Sequence, residues 1–92
     1  MTQGGSKVEF ENDRVRVSRV TVGHREKHPR RIRKDRVLVW LTDSHETRTG
    51  SDGKQEDVRR KAGDVAWREA SEHQIENLED QRVELVIVEL KD

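Results

Sequence analysis

The apolar positions of this chain recur with a period of two. Arg14-Val-Arg-Val17 and Val20-Thr-Val22 alternate cleanly, the spacing of strands with one face turned to a core. The phase slips between Val17 and Val20, which predicts a β-bulge at Ser18-Arg19. Val37 to Leu41 is an unbroken apolar run, the pattern of a strand covered on both faces. Val83 to Leu90 is the strongest strand, apolar in both phases through Val86-Ile-Val88. Thr47 to Thr49 and Gln55 to Val58 flank Gly50-Ser-Asp-Gly53, and an Asp-Gly pair between extended runs signals a hairpin. Gly63-Asp64 turns the chain into Val65-Ala-Trp67, and His73 to Asn77 is a further short extended segment.

No stretch of ten residues carries a helical stripe. Glu69 to Asp80 comes nearest, but Ser71, His73 and Asn77 are poor helix formers. About eight short strands at this spacing predict an all-β sandwich or barrel. It forms a single domain over residues 7–92, preceded by a disordered tail over residues 1–6, rich in Gly, Ser, Thr and Gln.

Composition makes this core thin. Only 27 of the 92 side chains are apolar, 12 of them Val, while 41% are charged and the net charge is zero. Leu, Ile, Val and Phe number 21, about 23%, just above the range of disordered chains. A core of this size needs a supplement, and a homodimer interface and dense ion pairing are the two the sequence offers. The absence of Cys removes disulfides, thiolate metal sites and a Cys nucleophile. No apolar run is long enough to span a membrane, and Met1 to Lys7 lacks a signal-peptide core, so a cytoplasmic protein is expected.

Two stretches together resemble the motifs of the small single-domain, RmlC-like cupins. From Gly63 the chain reads Gly-Asp-Val-Ala-Trp, then five residues, then His73-Gln-Ile-Glu-Asn77. This is similar to the second cupin motif, with His73 and Asn77 on its His and Asn. Glu69 and Ser71 replace the usual Pro and Gly. Gly23-His-Arg-Glu-Lys-His-Pro29, followed by Asp35-Arg-Val-Leu-Val39, resembles the first motif. The resemblance runs from about Val8 to Lys91 and implies a double-stranded β-helix, or jelly-roll barrel.

The metal ligands of that family are where the likeness fails. Anchored on Pro29 and Asp35-Arg36-Val37, its His-x-His pair falls on Arg31 and Arg33, and its Glu falls on or near Val37. His73 alone remains. Guanidinium has no lone pair to give and stays charged, so the metal-binding motif is degenerate and neither metal nor other cofactor is expected. A metal-dependent enzyme, of dioxygenase or isomerase type, would have to recruit His24 or His28 beside His73.

Residues 24–36 carry seven Lys/Arg and two acids; residues 69–80 carry five acids and no Lys or Arg. Ion pairing between the two segments is one reading. Another places Arg31 and Arg33 in the barrel together, since residues two apart on a strand share a face. Two forked donors suit a carboxylate or phosphate, with Trp67, taken as inward by alternation with Val65, as an apolar wall and His73 as a further donor. Trp40, inside an unbroken apolar run, reads as core. Nucleic acid is not expected as a partner: the net charge is zero and no aromatic interleaves Arg30-Arg-Ile-Arg-Lys34. No nucleophilic triad or phosphate loop is present, although His73 beside Glu69 or Glu72 could act as a general base. The expected function is non-enzymatic binding of a small, anionic molecule in a metal-free, Arg-lined barrel. The alternatives are the metal enzyme or an interaction module whose barrel is filled by its own side chains.

Overall fold

A computed structural model describes residues 5–91, apart from the side chains of residues 29–32. Among these residues the chain forms nine strands and no helix: β1 (Gly5–Glu11), β2 (Val15–Val22), β3 (Lys27–Arg33), β4 (Arg36–Trp40), β5 (Ser44–Gly50), β6 (Gln55–Arg60), β7 (Val65–Arg68), β8 (Ser71–Asn77) and β9 (Val83–Leu90). They make two antiparallel sheets, ordered β1-β2-β9-β4-β7 and β3-β8-β5-β6. No helix is long and apolar enough to cross a membrane.

The two apolar runs become the central strands of the five-stranded sheet. β9 pairs with β2 on one side and β4 on the other. From this sheet Val20, Val22, Leu38, Trp40, Val83, Leu85 and Ile87 form the buried core. The facing sheet adds Val58 and Ile75, but its other inward side chains are polar. One wall of the barrel is therefore oily and the other wet.

β2 keeps an unbroken register against β9 from Val15 to Val22, so the bulge predicted at Ser18-Arg19 is absent. The irregularity lies on β1, between Val8 and Phe10. Ser18 is itself buried and in phase with Val20 and Val22; a small polar residue at an inward position mimics a phase slip. Gly5 and Ser6, expected in the tail, pair with Thr21 and Val20. The rest of that tail, residues 1–4, lies outside the described residues. The Gly50-Gly53 hairpin forms as expected, with Gly53 in the left-handed region at φ 82°.

Asn77 ties the closed end of the barrel. It is 2% exposed, and its Nδ2 donates to the carbonyls of Gly23 and Gln81, both at 2.9 Å, while Oδ1 accepts from the Glu79 amide at 2.9 Å. Asn77→Ala leaves these backbone groups without partners, at about 1–3 kcal/mol for a buried unsatisfied group. Urea denaturation is expected to show a loss of roughly 2–4 kcal/mol.

Candidate functional site

Strand alternation decides which side chains enter the barrel. On β4, Arg36, Leu38 and Trp40 are buried, while Val37 and Val39 point to the outer face. On β7, Ala66 packs on the core and Arg68 lines the interior. Val65 and Trp67 are 62% and 51% exposed, which corrects the expected inward placement of Trp67. The assumption that apolar residues face inward inverted this strand.

The inward charged residues gather at one end of the barrel around a cavity of about 60 Å³. Arg33, Arg36, Arg48, Arg68, Glu46 and His73 line it above the apolar floor. It is large enough for a few water molecules or one small oxyanion. An open cleft of about 540 Å³, between the β5–β6 hairpin and the β7–β8 loop, shares Arg48, Arg68 and His73 with the cavity and leads to solvent. Arg33 and His73, both expected to face the interior, line the cavity. Arg31 pairs in register with His73, but its side chain lies outside the described residues. Arg36, Arg48, Arg68 and Glu46 were missed. The signal was available in the alternation of Arg36 with Leu38 and Trp40 and of Arg68 with Ala66.

Arg36 and Arg68 carry the electrostatic peculiarity of the site. They are direct cross-strand partners on β4 and β7, so their Cβ atoms share a face at roughly 5 Å, where like charges oppose folding. Arg36 is 2% exposed, and its Nη1 donates to the carbonyls of Lys34 at 3.1 Å and Glu69 at 3.4 Å. The Arg68 side chain has no hydrogen-bond or ion-pair partner among the described residues. Arg48 pairs with Glu56. Burial, reinforced by the neighbouring guanidinium groups, pushes Arg36 down to about 10, still cationic at neutral pH. Desolvation lowers Arg68 as well and raises the Glu46 carboxyl.

His73 answers to the same field. Burial first, then Arg36, Arg48, Arg33 and Arg68, depress it to about 4, so the imidazole is neutral at pH 7. A base depressed in the folded state is protonated more readily in the unfolded chain. Its contribution is fully present above pH 6.5 and is lost as pH falls from there to about 4. The loss is on the order of 3 kcal/mol. Glu46 acts in the opposite sense, its contribution fading as pH rises through its raised value. Denaturation followed from pH 7 to 4 in phosphate-free buffer is expected to show a downward slope that His73→Gln reduces.

The interior donor set does not fit a divalent metal ion. No group of three His, Cys, Asp or Glu among the described residues could hold one. His28 lines the cavity but is bonded to Glu26 at 3.2 Å, and His24 is exposed outside it. Beside His73 the cavity offers one carboxylate, Glu46, and the surrounding guanidinium groups repel a metal. The basic and acidic segments do lie side by side, through β3 and β8. Arg25 bonds Asp80 at 2.9 Å across exposed surface, a pair worth at most about 1 kcal/mol.

A cupin domain from Bordetella pertussis Tohama I superposes on this chain with a TM-score of 0.89 at 22% identity, covering 100% of this chain and 99% of the other. The chain has the cupin fold. A second cupin, an RmlC-like protein with a double-stranded β-helix from Methanocaldococcus jannaschii, matches at TM-score 0.76 and 17% identity over 96% of this chain and 80% of its own. The polyketide cyclase RemF of Streptomyces resistomycificus matches at TM-score 0.73 and 14% identity over 98% and 66% of the two chains. No protein-family model and no curated protein matches the sequence. At these identities the cupin likeness fixes the architecture, and the chemistry has to be read from the barrel interior of this chain.

Proposed function

We propose that this cupin binds a small molecule through an anionic group, carboxylate or phosphate, held inside the barrel by guanidinium groups without a metal ion. The observation that carries the reading is the Arg36–Arg68 pair: two inward cations directly opposite each other, one fully buried, neither ion-paired to a carboxylate among the described residues. Two like charges on one cavity wall are costly alone and become favourable when an anion bridges them. Neutral His73 at the threshold of cavity and cleft adds a donor without competing for the anion. The cleft leaves room for the uncharged remainder of a larger ligand.

The test is a thermal-shift and calorimetric series with phosphate, sulfate and short mono- and dicarboxylates, in chelator-treated buffer. Saturable stabilisation by at least one class is expected. A flat response across all of them would favour a barrel filled by its own side chains. Stoichiometric Fe, Mn, Ni or Zn after gentle purification would favour a metal enzyme instead.

A further inference from the structure

One row on the outer face of the five-stranded sheet is apolar from edge to edge. Cross-strand registers place Phe10, Val17, Val88, Val37 and Trp67 in one continuous row across β1, β2, β9, β4 and β7. The adjacent row reads Lys7, Arg19, Val86, Val39 and Val65. Phe10, Trp67 and Val65 are 58%, 51% and 62% exposed. In a chain so poor in apolar residues, placing these on the outside costs solubility and core, and among the described residues they stay exposed.

We propose that this face is the interface of a homodimer, with a second copy of the chain packed sheet to sheet about a two-fold axis running along β9. Five strands about 4.8 Å apart and two outward rows about 6.8 Å apart span roughly 330 Å². A standard interface buries about 800 Å² per partner, of which about 60% is apolar, so the eight apolar positions of these two rows supply more than half of the apolar area such a dimer needs. The row is also self-complementary. Its two aromatics stand at opposite edges with valines between. A two-fold along the central strand seats Phe10 of one copy on Trp67 of the other, and Val88 on Val88, the isologous arrangement of cyclic dimers. Arg19, held at 3.7 Å from both Glu9 and Glu84, gives the patch a polar rim.

Sedimentation equilibrium of the intact chain at high micromolar concentration is expected to give twice the 10.8 kDa chain mass. Trp67→Arg and, on the opposite edge, Phe10→Ser are expected to yield folded monomers, since both sites are exposed; far-UV circular dichroism checks the fold. The chain has no Cys, so Phe10→Cys with Trp67→Cys supplies a clean cross-link. Four inter-strand steps, about 19 Å, separate these sites within one copy, whereas facing sites of two packed sheets lie about 10 Å apart, too far for a disulfide with its Cα limit of roughly 7 Å and within reach of a short bifunctional thiol reagent. A short bis-maleimide linker is expected to convert the double variant to covalent dimer and to leave each single variant uncross-linked. A monomeric wild type, a dimer that survives both edge substitutions, or single variants that cross-link as well as the double one would each overturn the proposal.

Discussion

Trp40→Ala is expected to cost about 3–5 kcal/mol of folding stability, the usual range for truncating a buried aromatic. Domains of this kind hold only about 5–15 kcal/mol in total, so the variant is expected to melt far below the parent or not fold at all. Trp40 is 1% exposed and spans the oily floor of the barrel. Its amide donates to the Asp64 carbonyl at 2.9 Å and its carbonyl accepts from Gly63 at 2.8 Å, so it also fixes the turn into β7. The Arg60 guanidinium sits 4.9 Å from the ring centre, a cation–π contact worth about 1 kcal/mol. Trp40→Phe separates these contributions. It keeps a ring under Arg60 and removes an indole N–H that has no partner among the described residues, and it is expected to cost well under half of the alanine loss. Chemical denaturation of the two variants side by side provides the check.

Arg68→Gln is expected to separate binding from stability. Each charge-assisted hydrogen bond to a bound anion contributes about 1.5–3 kcal/mol, so losing this guanidinium lowers affinity by roughly ten- to a hundredfold. Adding Arg36→Gln is expected to abolish measurable binding. The unliganded Arg68→Gln protein, in contrast, is expected to be as stable as the parent or more so by up to about 1 kcal/mol, because a like-charge cross-strand pair has been relieved. Calorimetry with the anion that stabilises the parent, paired with denaturation in its absence, measures both. A variant that loses stability and affinity together would mark Arg68 as a structural residue and count against the pocket.

The barrel was legible because its determinants are local. Alternating valines, the Asp52-Gly53 hairpin and the Gly63-Asp64 turn each act within a few residues, and the structure realises each of them. The candidate site was legible only in part. Arg33 and His73 could be found because a motif comparison assigns them a position, and both line the cavity. Trp67 was misplaced and Arg36 and Arg68 overlooked for one reason: the rule that apolar side chains face inward fails on β7 and on half of β4, where the outer face is the oilier one.

By itself, the sequence determined that this chain is all-β and without thiol chemistry. These follow from residue identity and from a period of two, which any strand obeys wherever it lies. Which face of each strand looks inward was decided only by the tertiary structure. A period-two pattern fixes that two faces differ but not which of them closes on the other sheet. That choice depends on register across strands far apart in the chain. It is this choice that sets Arg36 against Arg68 inside the barrel and Phe10 and Trp67 on its outside.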